Sequence, residues 1–241
     1  MRVRAPIPKL QEGVMILDAK TGHYLGRVLR LTVGTTITAF DPVARKEADA
    51  EIEQNDENAF VVQVGPLRHA ALIADREIAF IQGLAKGDKC DAIVRDATEL
   101  GATTVIVATT TRSIVRLDEA RLEERRTRWE RIAQEAARQC GRGDPPSVAT
   151  GSWESALAQV KENSRKFCLY EKADIPLGPA LIRALESAAP IAFAVGPEGG
   201  LTEDEVATAR RAGWDIVSLG SFVLRTETVA AAVLGAVRIW G

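Results

Sequence analysis

The chain has only three cysteines and two histidines in 241 residues. Cys90, Cys140 and Cys168 are odd in number and far apart, which excludes a disulfide framework. With only His23 and His69 to accompany them, no zinc-ligand spacing exists, so no metal is expected and the thiols read as small core-filling residues. Long apolar runs are missing as well. No stretch is long enough to cross a bilayer, and the first residues lack the basic-then-apolar pattern of a secretory signal, which makes the cytosol the expected compartment. There is no internal repeat and no low-complexity tract. A strong excess of one charge is also absent: the formal net charge is −2, which argues against an indiscriminate grip on nucleic acid. Charge placement is more informative than the total. Residues 1–30 carry Arg2, Arg4, Lys9, Lys20, Arg27 and Arg30 against Glu12 and Asp18, whereas residues 41–58 are acidic. Such a basic face can contact phosphates, and it can equally be an unevenly charged solvated surface.

A chain of this length can bury a substantial core as one large domain or two small ones. The pattern of elements changes near residues 66–75. Before that point, short runs at Val14–Leu17, Thr35–Phe40, Ala48–Glu53 and Phe60–Val64 alternate with turn signals and predict a small β-rich domain with one helix near His23–Arg30. After it, Ile78–Ile81, Val105–Val107, Phe167–Tyr170, Ile191–Val195 and Ile216–Leu219 predict strands separated by helices. That alternation implies an α/β sheet of mainly parallel strands. A long helix is expected from about Asp118 to Gly141. Leu122, Trp129, Ile132, Ala136 and Cys140 recur on one stripe of it, and Arg131, Glu135, Arg138 and Arg142 on another. Arg142 stands apart, in a loop between Gly141 and Gly143-Asp144-Pro145-Pro146, where an arginine is placed to meet a substrate.

Two glycine-bearing loops stand out. Gly196-Pro197-Glu198-Gly199-Gly200 follows the apolar run Ile191–Val195 and leads into Thr202-Glu203-Asp204-Glu205, a capping box that predicts a helix starting just after Leu201. Neither the Rossmann nor the P-loop spacing is present, and Glu198 would set a carboxylate against any bound phosphate. A neutral or partly cationic ligand suits this turn better, although an ordinary tight strand-to-helix turn has the same composition. The second loop, Leu219-Gly220-Ser221-Phe222-Val223-Leu224-Arg225-Thr226-Glu227-Thr228, separates the next strand from a helix of small and apolar residues reaching Trp240. Two such turns on consecutive parallel strands mark the end of the sheet where ligands settle.

These residues carry a resemblance. Taken with Gly22-His23, Val28-Leu29-Arg30, Phe40-Asp41, Lys86-Gly87-Asp88-Lys89, Ala97-Thr98-Glu99-Leu100-Gly101, Arg112-Ser113, Glu135-Ala136-Ala137 and Gly141-Arg142, both loops resemble the 16S ribosomal RNA (uracil-N3)-methyltransferase family. That family belongs to the SPOUT, or trefoil-knotted, methyltransferases, and the likeness runs over nearly the whole chain. It implies a PUA-like β-barrel RNA-binding domain at residues 1–70 and a knotted SPOUT methyltransferase domain at residues 74–241. It implies S-adenosylmethionine as methyl donor, bound by Leu169, Gly196, Pro197, Glu198, Gly199, Gly200, Leu219, Gly220, Val223 and Leu224. It implies a homodimer acting on 16S ribosomal RNA in the small (30S) subunit, with N3 of a uridine as nucleophile. Arg225, Arg142 and Arg112 are the expected catalytic arginines, Glu198 and Glu227 weaker candidates for a base, and Arg2, Arg4, Arg27 and Arg30 the expected RNA contacts. The chain departs from the family pattern at Ala85, Arg138 and Phe222. A SPOUT enzyme acting on transfer RNA or another ribosomal RNA site, a nucleotide-binding enzyme and a non-catalytic RNA-binding module are the competing readings.

Overall fold

A computed structural model describes residues 3–56, 59–113 and 117–241. The chain divides into two compact units. The first comprises the residues up to Ile73 together with Ala137–Pro145, and the second Ala74–Ala136 with Pro146–Gly241. The return of Ala137–Pro145 to the first unit has no counterpart in the sequence pattern.

In the first unit, strands β1 (Arg4–Pro6), β2 (Gly13–Ile16), β3 (Thr36–Asp41), β4 (Lys46–Asn55) and β5 (Phe60–Val64) lie in the order β1-β3-β4-β5-β2, with β6 (Arg68–His69) also paired to β4. β1 runs parallel to β3, and the other pairs are antiparallel. The β3–β4 turn is built by Asp41, whose carboxylate accepts from the amides of Val43 and Ala44 at 2.9 and 3.0 Å. Ile37, Ala39, Ala50, Ile52, Val62 and Val64 alternate inward onto Ile7 and Leu25 to make the core. The helix expected near His23–Arg30 starts earlier. Asp18 accepts from the amides of Lys20 and Thr21, so α1 is Ala19–His23, and a π-helical turn, Tyr24–Val28, follows it. Arg30 lies beyond both, at φ +54°.

The second unit holds a six-stranded, wholly parallel sheet of β7 (Ile78–Gly83), β8 (Thr104–Thr109), β9 (Ser147–Ser152), β10 (Arg165–Leu169), β11 (Ile191–Val195) and β12 (Asp215–Val217). Their spatial order is β12-β10-β11-β7-β8-β9. The chain lays down β7, β8 and β9 outward, passes back beyond β7 to place β10, and only then fills the position between them with β11. Helices α2 (Lys89–Glu99), α3 (Glu119–Cys140), α4 (Trp153–Ala158), α5 (Leu177–Leu185), α6 (Glu203–Arg211) and α7 (Thr226–Trp240) connect and cover the strands. The last turn of α3, from Ala137, is counted with the first unit.

Side-chain alternation sorts the two faces. Phe80, Val105, Val107, Phe167 and Phe193 point to one face, where they meet α2, α3, α5 and α7, and the Phe167 and Phe193 rings stack with centroids 5.8 Å apart. Ile81, Ile106, Cys168, Ala192, Ala194 and Ile216 point to the other, under α4 and α6. Cys90 and Cys168 are buried in these layers, as their reading as core-filling residues requires, and burial pushes their thiols up to about 11 and about 12. β9 was not foreseen from the sequence: Ser-Val-Ala-Thr-Gly-Ser has one large apolar side chain, and it is an edge strand. No described helix is long and apolar enough to cross a membrane.

Candidate functional site

β12, β10, β11 and β7 are neighbours, so the loops leaving Leu169, Val195 and Val217 emerge side by side at the carboxyl end of the sheet. They enclose a cavity of about 510 Å³. Its walls are Leu169, Tyr170 and Glu171 after β10, Val195 to Leu201 after β11, Leu219, Gly220 and Phe222 to Arg225 after β12, and Lys89, Thr226 and Val229 from helices. Every residue that the resemblance marked for donor binding lines it. The local structure follows from the sequence. Thr202 and Glu205 form the reciprocal capping box that starts α6, and Gly200 and Gly220 adopt φ +71° and +109°, which only glycine takes without strain. Gly83, at the end of β7, has no room for a side chain: a Cβ there would lie 2.6 Å from Pro197 Cδ and 2.9 Å from the Gly196 carbonyl carbon.

Lys89 and Glu198 of the cavity wall are ion-paired. Lys89 Nζ lies 3.0 Å from Glu198 Oε1 and 3.6 Å from Glu227 Oε2, and the Lys86 amide donates to Glu198 Oε1 at 3.1 Å. Burial pulls the Glu198 carboxyl upward. Its own backbone N–H, the Lys89 ammonium and the Lys86 amide outweigh burial and hold it below the ordinary carboxylate range. The same pairing raises Lys89, chiefly through the hydrogen bond to Glu198. A carboxylate so committed is a weak proton acceptor.

Behind the cavity lies a buried polar link. The Gln82 side chain, wholly inaccessible, reaches through Nε2 to the Gly83 carbonyl at 2.9 Å, the Gly196 carbonyl at 3.1 Å and Thr226 Oγ1 at 2.8 Å. Thr226 Oγ1 in turn donates to the Gly196 carbonyl at 2.9 Å. Sequence reasoning gave no site role to Gln82, Gly83, Lys89, Tyr170 and Glu171, whereas Thr226 lies in the second loop it had singled out. A polar residue closing the run Ile78-Ala79-Phe80-Ile81 was the available signal for Gln82.

The expected arginines divide. Arg225 lines the cavity with an exposed side chain, and its extended backbone precedes α7. Arg112 is not among the lining residues; it braces the first loop from outside, its Nη1 donating to the carbonyls of Gly199 and Leu201 at 3.1 and 3.3 Å. Arg142 belongs to the first unit and corrects the expectation of an outward-facing loop arginine. Its guanidinium is buried, with Nε donating to Asp144 Oδ1 at 3.1 Å and Nη2 to the Asp144 carbonyl at 2.9 Å. Arg4 is likewise turned inward, donating to the buried Glu47 at 2.8 Å and lying over the Phe40 ring. Arg27 and Arg30 are exposed. Arg2 lies outside the described residues. Among the described residues, no group of histidine, cysteine and acidic side chains has metal-binding geometry.

Comparison with known proteins decides the family. The RNA methyltransferase domain model matches residues 74–238. Over 232 residues the chain is 30% identical to the ribosomal RNA small subunit methyltransferase E of Mycobacterium bovis, covering 94% of this chain and 86% of that protein. The chain belongs to the ribosomal RNA small subunit methyltransferase E family. The family member of Bacillus subtilis is 34% identical over 166 residues, which span 67% of this chain and 65% of the relative. A crystal structure of the family member from Neisseria gonorrhoeae, bound to S-adenosyl methionine, is 29% identical and superposes with a TM-score of 0.88, covering 99% of this chain and 98% of the other.

Proposed function

We propose that this protein uses S-adenosylmethionine to methylate N3 of a uridine in 16S ribosomal RNA. The observation that carries the reading is the cavity itself, whose three loops bring together the residues expected to hold the donor. The cavity suits that molecule. Leu169, Val195, Leu219, Val223 and Leu224 offer apolar surface for a nucleobase, the glycine turns leave backbone groups open to approach, and Glu198, ion-paired with Lys89, is an ionised acceptor on the wall. When bound, the donor supplies an electrophilic methyl on a sulfonium. The protein's part is to hold that methyl in line with the nucleophile, and positioning of this kind contributes roughly 7–11 kcal/mol.

N3 of uridine must lose its proton, here to solvent, to attack, and the methyl–sulfur bond of the donor breaks as the methyl–N3 bond forms. Arg225, exposed on the cavity wall, stabilises the uracil anion as it forms, and Arg112 fixes the loop opposite. Glu198 is a weak candidate for the base because its carboxylate is already engaged by Lys86 and Lys89, and Glu227 shares the same ammonium. The target base leaves its stack to reach the cavity, at about a few kcal/mol.

The first unit serves in this reading as a PUA-like RNA-binding domain at residues 1–70, offering Arg27 and Arg30 to phosphates, with Arg142 acting by shaping its Asp144 turn. Residues 74–241 make the SPOUT methyltransferase domain. A trefoil knot is supported by β11, which enters the sheet between strands laid down before it. A homodimer is supported by the outward side of α7, where Ala231, Ala232, Ile239 and Trp240 are exposed. The substrate is the small (30S) subunit in the cytoplasm. Incubating the protein and labelled donor with small subunits from a strain lacking the modification should place the label in 3-methyluridine of 16S RNA. Label on a ribose or no label would refute the activity, whereas label confined to transfer RNA would refute the substrate and leave the donor site standing.

A further inference from the structure

Gln82 touches neither the cavity nor solvent, yet it is the group that joins the cavity's parts. Its amide nitrogen, which carries two N–H donors, lies within hydrogen-bond distance of three acceptors on three different segments: the Gly83 carbonyl at the end of β7, the Gly196 carbonyl at the root of the first loop, and Thr226 Oγ1 at the start of α7 where the second loop ends. Thr226 closes the link by donating to Gly196. The carbonyl of Gly196 therefore takes two side-chain donors from elements outside its own strand.

The carboxamide is an unfavourable choice for stability alone. Gln82 Oε1 is buried and has no hydrogen-bond partner among the described residues, and a buried acceptor left unsatisfied costs about 1–3 kcal/mol. An apolar side chain of the same length would avoid that loss and extend the layer made by Ile78 and Phe80. The geometry points to a different benefit. We propose that Gln82, acting through Thr226, is a positioning residue that sets the separation of the two donor-binding loops, so that the cavity is already spaced for its ligand before the ligand arrives. This inference rests on the donor reading of the cavity.

The link needs a donor at position 82 and a hydroxyl at position 226. A glutamate at 82 would set a carboxylate against the carbonyl oxygens of Gly83 and Gly196, whereas serine at 226 would keep both of the threonine's hydrogen bonds. The test is calorimetric titration of S-adenosylmethionine into the full chain and into the variants Gln82→Met, Gln82→Glu, Thr226→Val and Thr226→Ser, with the melting temperature of each ligand-free protein alongside. Gln82→Met, which removes every hydrogen bond from Nε2, and Thr226→Val, which removes both of the threonine's, should each bind the donor about tenfold more weakly, with melting temperatures close to the parent's. Gln82→Glu should bind more weakly still, and Thr226→Ser should bind like the parent. In steady-state assays the Met and Val variants should raise KM for the donor more than they lower kcat. Parent-like donor binding by Gln82→Met, loss of binding only in step with loss of melting temperature, or a Thr226→Ser protein as weak as Thr226→Val would each overturn the inference while leaving the donor site intact. A parent protein that fails to bind the donor at all would overturn both.

Discussion

Gly83→Ala is the smallest change that should disable the cavity from outside it. The added Cβ would lie 2.6 Å from both Pro197 N and Pro197 Cδ, and 2.9 Å from the carbonyl carbon of Gly196. Two of these three atoms are backbone, so no rotamer change relieves the clash. Neither side of the contact is free to drift: Gly83 is held against Ala108 of β8, and the residue before Gly196, Val195, is in register with Gln82. The loop must therefore move as a unit. Overpacking of this kind costs about 1–3 kcal/mol, which for a domain of this size lowers the melting temperature by about 2–12 °C. The larger effect falls on the ligand, because the segment displaced is Gly196-Pro197, one wall of the cavity. The parent should gain about 2.7 kcal/mol of stability at a hundredfold excess of S-adenosylmethionine over its Kd, and the variant should lose most of that gain at the same concentration. Thermal unfolding with and without the donor measures both quantities. Gly178→Ala is the control: a Cβ there meets nothing within 4 Å, and alanine in the first turn of α5 should stabilise slightly. A Gly83→Ala protein that melts and responds to the donor like the parent would refute the close approach of β7 to this loop.

Other expectations follow from the charges and thiols. Glu198 is held below the ordinary carboxylate range, so its ion pair stabilises the fold above that range, and the benefit disappears as the pH falls through its lowered value. Lys89→Met should therefore be less stable than the parent near neutrality and converge with it in acid; a stability difference in urea unfolding that ignores pH would contradict this. Cys90 and Cys168, buried and pushed up to about 11 and about 12, should resist iodoacetamide at pH 8, while the half-buried Cys140 reacts first; intact-mass analysis before and after unfolding distinguishes the sites. Arg225→Ala should lower turnover about a hundredfold with a much smaller change in donor affinity, measured by single-turnover kinetics and calorimetry, and the reverse split would reassign Arg225 to donor binding.

Local signals in the sequence were accurate where one short segment determines its own geometry. The capping box at Thr202 and Glu205 starts α6 where expected, and Ile191–Val195 is a strand buried on both faces. The two glycine loops could be paired because each lay between a strand signal and a helix signal. What was illegible depended on partners distant in sequence. Arg142 and Arg4 looked like free cations, and only the fold supplies Asp144 and Glu47 as their partners. The start of α1 was missed because the cap at Asp18 outweighed the apolar pattern further on. β9 was missed because its strand character comes from pairing with β8, and its own composition does not disclose it. Strand order was beyond reach altogether: alternating strand and helix signals imply a parallel sheet without saying that β11 lies between β10 and β7.

That placement has a mechanical consequence. β10 and β7 do not pair with each other, so the sheet is continuous only through the five residues Ile191–Val195. On one side of that seam stand β12 and β10, followed by Leu219 and Glu171 of the chamber wall; on the other stands β7, whose end carries Gln82 and Gly83 behind the chamber. Any fraying of the middle strand would open the sheet and displace the chamber wall that follows it, Val195 to Leu201. Integrity of the scaffold and competence of the chamber are thus governed by the same few backbone hydrogen bonds.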